Sequence, residues 1–354
     1  MRILVYEFVS GGGCAGRAVP VSLVREGLAM RTALVADLAA IGCHEIVTTT
    51  DIRYAVAAPP RVEVVTLLPE DRDASVLDAL IASADAVWLV APETDGCLER
   101  LAARVARIGT RLLGPGAAAI RRASNKAGLS RRLARIGVEH PASIALEPGV
   151  DARVAARDMG YPLVVKPARG AGSRGVRLVR GARELRRVLG ARHRGCEVVA
   201  RALGTQQVAD HPAMIQRYVR GTPASVSLVA NGRSAVALAV NAQRVIASSG
   251  FSYRGGRTPL DHPHAAAAVD AAIRTCAALP GLRGFVGVDV VLTDAGPVVI
   301  EVNPRLTTAY LGVRAVLDEN VAALALAACE GVLPAQPIAR RCVRFTASGG
   351  VAAA

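Results

Sequence analysis

A chain of 354 residues is too long for one small core and suits two or three domains. Hydrophobic residues make up 52% and aromatics only 3%, which excludes a disordered chain and argues against an aromatic platform for stacked bases. The formal charge of +14 comes from 43 basic and 29 acidic residues, but the arginines are spread over nearly every segment, so anionic small molecules rather than nucleic acid are the expected partners.

The seven cysteines (Cys14, Cys43, Cys97, Cys196, Cys276, Cys329, Cys342) form no CxxC pair and sit at no metal-site spacing from a histidine. They read as small buried residues in a reducing cytoplasm. Glu7 and a glycine run interrupt any signal-like apolar stretch, and no apolar run reaches the roughly 18 residues that span a bilayer. A cytoplasmic protein without a membrane partner is expected, with a homodimer as the default oligomer.

The first third alternates strand and helix. MRILVYEF is a strand that meets SGGG, a helix-period stretch runs from Arg17 to Ala40, and HEIVTTT, VEVVTLL and DAVWLVAP are three more strands. CLERLAARVARIG is amphipathic, with Leu98, Leu101, Val105 and Ile108 at helical spacing. This is an open parallel α/β unit, whose ligands bind beyond the carboxyl ends of its strands. The candidate ligand loops are therefore Glu7 to Gly13 and Ala91 to Gly96. Gly114, Pro115 and Gly116 mark a boundary near residue 115. Beyond it a helix ends at Gly137. YPLVVKPARGAGSRGVRLV then reads as strand, loop and strand, MIQRYVRG and PASVSLVANGRSAVALAV extend a sheet, and GFVGVDVVLTDAGPVVIEVNP forms a hairpin.

That hairpin carries chemistry. With a turn centred near Ala295, antiparallel pairing sets Asp289 across from Glu301, and Asn303, two residues on, leaves the same face as Glu301. Like charges directly opposite each other destabilise a hairpin unless something neutralises them. An all-oxygen cluster of two carboxylates and an amide suits Mg²⁺ (or Mn²⁺), which keeps waters and substrate phosphates in its shell. A solvated strand face with incidental acids is the simpler alternative, but Val288, Val290, Val299, Ile300 and Val302 mark the hairpin as largely buried.

A second element is the loop RGAGSRG, residues 169–175, whose Gly170, Gly172 and Gly175 let backbone N–H groups approach phosphate and whose Ser173 adds a hydroxyl. Alone it is a glycine-rich hairpin loop. Lys166, on the apolar strand before it, needs an anionic partner, and Lys126, at a helix start, offers a second cation.

The order Lys126, VVKP with a glycine loop, IQRYVRG, and VDVV…VIEVNPR resembles the ATP-grasp superfamily over roughly residues 115–335. The resemblance implies an α/β (α+β) fold: a Rossmann-like pre-ATP-grasp domain over 1–115, then a two-lobed ATP-grasp domain with antiparallel sheets over 116–335. Its lid lobe spans about 140–212, and a C-terminal strand and tail cover 336–354. It implies that Lys126 and Lys166 hold the ATP phosphates under a lid of Gly170 to Gly175. Gln216, Arg217, Tyr218 and Val219 form the hinge at adenine, and Asp289, Glu301 and Asn303 hold Mg²⁺. Two departures stand out. Relatives carry a ribose-binding acid after the hinge glycine, where this chain runs Gly221, Thr222, Pro223, Ala224, leaving Ser225 as a substitute. Relatives of the D-alanine ligase type place an arginine two residues before the first metal acid, where this chain has Gly287, so Arg305 or Arg244 has to stabilise the acyl oxyanion.

MRILVYEFVSGGG, WLVAPETDG, NAQRVIASSGFSYRGG and NPRLTTAY are similar to a narrower group, the tyramine–glutamate ligases of methanofuran biosynthesis. That similarity implies an ADP-forming carboxylate–amine ligase that joins L-glutamate to tyramine through an acyl phosphate. Another amino acid and amine pair is the alternative. Expected substrate contacts are Glu7, Gly11, Gly12, Gly13, Glu93, Arg244, Tyr253 and Arg305, with Tyr253 packing on Phe251 as the alternative for that residue. Two rival readings remain. Gly11, Gly13 and Gly16 spell GxGxxG between a strand and a helix, which a NAD(P)-binding oxidoreductase would carry, with Asp51 as its distant acid. A non-catalytic ATP-binding protein of the same fold is the other, against which the chain keeps both acids, the amide and both lysines.

Overall fold

The computed structural model describes residues 1–54, 59–69, 75–147, 149–168, 175–190, 213–247 and 250–354. Five parallel strands, β1 (Arg2–Glu7), β2 (Glu45–Asp51), β3 (Val62–Leu67), β4 (Ala86–Val90) and β5 (Arg111–Leu112), form one sheet in the order β3-β2-β1-β4-β5. Helices α1 (Val21–Ala40), α2 (Ser75–Ser83) and α3 (Cys97–Ile108) cover it. Burial on both faces explains why β1 is a continuous apolar run. Ile3 and Val5 share a core with Leu34 and Leu38 of α1, while Leu4 and Tyr6 share another with Leu98, Leu101 and Val105 of α3. Helix α1 starts at Val21, behind Pro20, four residues later than the sequence pattern placed it. The α2 segment shows little pattern because only Leu77 and Ile81 mark its buried side.

The expected break near residue 115 falls between β5 and α4 (Ala117–Ser124). Helix α5 (Lys126–Arg135) follows, capped by Asn125, whose side chain accepts the Gly128 N–H at 3.0 Å. It ends ahead of Gly137, whose φ of 63° suits glycine.

Two antiparallel sheets make up the rest. The smaller consists of β6 (Ser143–Leu146), β7 (Leu163–Pro167), β8 (Arg177–Val179) and β9 (Ala213–Arg217), in the order β6-β9-β7-β8. Helices α6 (Ala152–Met159) and α7 (Ala182–Gly190) pack on it through Met159 and Leu185. The larger has seven strands: β10 (Thr222–Asn231), β11 (Ala235–Ala247), β12 (Phe251–Thr258), β13 (Arg283–Thr293), β14 (Gly296–Asn303), β15 (Val343–Thr346) and β16 (Val351–Ala353). Their order is β14-β13-β10-β11-β12-β15-β16. The 336–354 segment, read from the sequence as a terminal strand and tail, thus supplies two strands to this sheet.

One face of the large sheet buries Val226, Leu228, Val286 and Val288 against Ala268, Ala272 and Cys276 of α8 (Ala265–Ala277). The other meets α9 (Tyr310–Val316) and α10 (Val321–Cys329), and through them α1. Asp37 on α1 fixes this junction. It accepts hydrogen bonds from Tyr310 Oη and from both Nε and Nη2 of Arg314, while Asn320 donates to its carbonyl at 2.8 Å. The site lies on this second face, because Asp289 alternates with Val288 and Val290 along β13.

Cys14, Cys97, Cys276 and Cys329 are buried, as expected of small core residues; Cys43, however, is exposed, Cys342 half-buried, and Cys196 lies outside the described residues. Among the described residues no helix is long and apolar enough to cross a membrane.

Candidate active site

Asp289 and Glu301 face each other across β13 and β14. The route to this pairing differs from the expected one. The turn is a two-residue Asp294–Ala295 connection with Thr293 opposite Gly296, a register that alone would set Asp289 against Ile300. A bulge after Val290 leaves Ile300 as the extra residue and restores Glu301 to the facing position. Asn303 then donates from Nδ2 to Asp289 Oδ2 at 3.1 Å, and Gln243 on β11 donates from Nε2 to Asp289 Oδ1 at 2.8 Å.

Lysines close the cluster from the other side. Lys126, at the first turn of α5, places Nζ 3.2 Å from Glu301 Oε2. Its backbone N–H meets the carbonyl of Ala168, at the end of β7, so α5 bridges the two antiparallel sheets. Lys166 on β7 is only 4% exposed and donates from Nζ to Gln216 Oε1 at 2.8 Å; Gln216 in turn donates to Ser143 Oγ at 2.9 Å. Burial and the neighbouring Lys126 charge push Lys166 down to about 8, against the pull of Glu301 and Asp289. Burial and the facing Glu301 push Asp289 up to about 7. Burial would raise Glu301 as well, but Lys126 and Lys166 outweigh it and hold that carboxyl below its ordinary value.

The donor set fits Mg²⁺ or Mn²⁺. Two facing carboxylates, one of them driven toward its neutral form by burial and by the other, leave a place that a hard divalent cation would neutralise, and the Asn303 amide oxygen is not used by its bond to Asp289.

Arg305 follows Asn303 directly on the chain, past Pro304. Its Nε lies 3.0 Å from both oxygens of Glu93, in the loop after β4, and its Nη1 donates to the Leu306 carbonyl at 3.0 Å. Gly287, the position of the missing arginine, has a physical reason to stay small: a Cβ there would meet Thr307 Cγ2 at 2.8 Å. A side chain at that point would displace the segment that presents Arg305. Arg244 is exposed, at the β11 irregularity between Gln243 and Val245.

The remaining expected residues separate into groups. Of the residues expected at the hinge, Arg217 and Tyr218 donate their N–H groups to the carbonyls of Ala142 and Pro162. Tyr253 is a strand residue of β12 opposite Val245; the ring near Phe251 is that of Tyr218, with centroids 6.4 Å apart. Ser225 is buried opposite Asp289 on β10, its Oγ accepting from Asn241, rather than at the hinge. Gly175 has a φ of 70°, while Gly170, Gly172 and Ser173 lie outside the described residues.

The glycine loop after β1 is tightly folded in its own right. The Glu7 carboxylate, 2% exposed, accepts the N–H groups of Val9 and Ser10, and a Cβ on Gly11 would fall 2.2 Å from the Glu7 carbonyl. Asp51 pairs with Arg53 at 2.7 Å, and Arg53 donates onward to the carbonyls of Cys14 and Arg17. The acid that a dinucleotide site would use is thus committed to holding this loop, and the helix that should begin within the glycine motif starts only at Val21.

The sequence reading did not single out Gln243. Its signal was present: Asn241 and Gln243 are two amides at alternate positions of a strand that is otherwise apolar from Ala235 to Gln243.

A pre-ATP-grasp domain model matches residues 44–120 and an ATP-grasp domain model residues 123–309. An uncharacterised protein of Sinorhizobium fredii is 29% identical over 273 residues, which cover 74% of this chain and 53% of that protein. The tyramine–L-glutamate ligase of Methanocaldococcus jannaschii is 34% identical over 111 residues, 31% of this chain and 35% of the enzyme. The chain thus spans about half or less of the curated relatives it matches. The crystal structure of an ATP-grasp superfamily protein from Archaeoglobus fulgidus superposes with a TM-score of 0.67 at 24% identity, covering 97% of this chain and 92% of that one. The facing acids, the two lysines and the matched domain models together identify the chain as a member of the ATP-grasp family.

Proposed function

We propose that the protein is an ATP-dependent carboxylate–amine ligase that forms an amide bond and releases ADP. The observation that carries this reading is the Asp289–Glu301 pair, faced across β13 and β14 and approached by Lys126 and Lys166. Two cations and two acids in one cleft suit a nucleotide triphosphate with its metal, and the buried Lys166, bonded to a neutral amide, is a cation in want of an anion.

In this reading Lys126 and Lys166 hold the ATP phosphates, Gly170 to Gly175 close over them, and Val219 leads the hinge residues at adenine. Asp289, Glu301 and Asn303 are the residues that would hold Mg²⁺ or Mn²⁺, which when bound neutralises charge on the phosphoryl oxygens. Positioned cations supply most of the acceleration, so no side-chain nucleophile is required. A carboxylate oxygen attacks the γ-phosphorus, ADP leaves, and the amine displaces phosphate from the acyl phosphate. Arg305, aimed by Glu93, steadies the acyl oxygen, with Arg244 as the second candidate. Glu7 and Gly11 to Gly13, held in the folded β1 loop, are further candidates for substrate contact, with Glu93 and Tyr253.

The partial match to tyramine–L-glutamate ligases makes L-glutamate and tyramine, as in methanofuran-type cofactor synthesis, the first pair to test. ADP release should be followed with Mg²⁺–ATP, L-glutamate and a panel of amines including tyramine. Turnover above the ATP-only blank with at least one amine supports the ligase reading, and none with any carboxylate and amine pair sinks it.

A further inference from the structure

Lys166, Gln216 and Ser143 stand on one face of the small sheet, away from the face that α6 and α7 cover. Ser143 is the direct neighbour of Gln216 across β6 and β9, and Lys166, two residues past Val164, is its diagonal neighbour on β7. The Gln216 amide is held in one sense. Its Nε2 donates to Ser143 Oγ at 2.9 Å, and that hydroxyl spends its own proton on the Pro141 carbonyl at 2.8 Å. The amide oxygen is thereby left facing the Lys166 ammonium, 2.8 Å away. Turned over, the amide would set its NH₂ against the ammonium, donor against donor. Among the described residues Lys166 makes no ion pair, so this oxygen is what fixes the end of its buried side chain. A carboxylate at that place would bind the ammonium more strongly, but it would also cancel the charge that a phosphate needs. A neutral amide orients without cancelling.

We infer that the Gln216 side chain is a positioning residue, which holds the Lys166 ammonium uncompensated where the nucleotide phosphates arrive, with Ser143 fixing the sense of the amide. Lysine has a flexible four-carbon stem, and ordering it before the ligand arrives removes that entropy cost from binding. Gln216 also directly precedes Arg217 and Tyr218, whose N–H groups are tied to the Ala142 and Pro162 carbonyls. The strand end that leads to the hinge and the phosphate lysine are therefore one assembly, braced by β6. The inference rests on the ATP reading and adds how its phosphate lysine is held.

Calorimetry on the full chain with Mg²⁺ and a non-hydrolysable ATP analogue tests it, as a double-mutant cycle of Gln216→Leu and Lys166→Met. Gln216→Leu should weaken the analogue about tenfold in the native background, as the loss of a bond to a charged group implies. With Lys166→Met in place, the same change should cost less than about twofold. Ser143→Ala, a milder change, should weaken the analogue about threefold in the native background and leave the Lys166→Met affinity unaltered. A second readout is the pH profile. Losing an acceptor of the charged form lowers a lysine pKa, so the pH above which affinity falls, about 8 in the native chain, should move down in Gln216→Leu. The charges of Lys126, Glu301 and Asp289 act on Lys166 in both proteins, so the shift reports the amide. An equal loss in both Lys166 backgrounds, no loss in the native background, or an unmoved pH profile overturns the inference. If Gln216→Leu fails to fold, Ser143→Ala decides by the same coupling, and if Lys166→Met binds too weakly to titrate, the pH profile decides. Failure of the native chain to bind the analogue sinks the ATP reading and the inference with it, whereas binding without coupling sinks the inference alone.

Discussion

The Lys126 ammonium reaches across from the start of α5 to within 3.2 Å of the Glu301 carboxylate at the end of β14. That contact joins the helix between the two antiparallel sheets to the acids of the larger one. It also sets the division of charge between the paired acids: Glu301 has the lysines and stays ionised, while Asp289 has Glu301 and is pushed up to about 7.

Glu301→Ala should lower metal-dependent ATP turnover by about a thousandfold or more, since it removes both a metal ligand and the counter-charge of Lys126. The fold should persist, because Val299 and Val302 on the opposite face still fill the core. Turnover near that of the native chain would refute the metal assignment.

Gln243→Leu keeps the volume but takes away the hydrogen bond to Asp289 Oδ1. The Mg²⁺ concentration for half-maximal turnover should rise by about 10- to 100-fold, the usual effect of losing an outer partner of a metal ligand. Turnover at saturating Mg²⁺ should change much less. An unchanged Mg²⁺ requirement would show that Asn303 alone suffices to orient Asp289.

Lys166 predicts a pH dependence. Its pKa in the free protein is lowered to about 8, so the charge that meets phosphate is present below that value and lost above it. Bound phosphate favours the charged form, so nucleotide affinity should fall as pH rises through about 8, and binding at pH 9 should take up a proton. Without nucleotide, an unfolded lysine holds its proton up to about 10.4, so stability should rise with pH between about 8 and 10.4 from this group. Titrations in buffers of different ionisation enthalpy give the proton count. Zero uptake at pH 9 would remove Lys166 from the phosphate site.

Tyr310→Phe removes one donor to Asp37 while Arg314 remains, and should destabilise the chain by about 1–3 kcal/mol in denaturant unfolding. Nucleotide affinity should be little affected. A large loss of binding without loss of stability would mean that the α1 junction acts on the site directly.

How much of this was legible in the sequence depended on the range of each contact. Asp289 and Glu301 are neighbours through one hairpin, so counting from the turn found the pair even though a bulge at Ile300, invisible in the residue pattern, makes the register work. Lys126 and Lys166 were legible as cations because apolar strands and a helix start surround them. The Glu93–Arg305 pair was legible only as two separate residues, because what joins them is the packing of the β4 loop against the end of β14. The glycines after β1 misled for the opposite reason. Their spacing fits a dinucleotide loop, yet the close approach they permit is to Glu7 and Phe8 of the same chain. Gln243 showed only as an amide two residues from Asn241, and the order of the sheet brings it to Asp289.

The central claim is that this cleft transfers the γ-phosphoryl group of ATP to a carboxylate. The direct measurement is oxygen tracing during turnover, with ¹⁸O in the carboxylate of the donor and the released phosphate read by mass spectrometry. An acyl phosphate intermediate predicts that the phosphate carries ¹⁸O from the carboxylate, in step with ADP and amide formed. Unlabelled phosphate released while amide forms would contradict it.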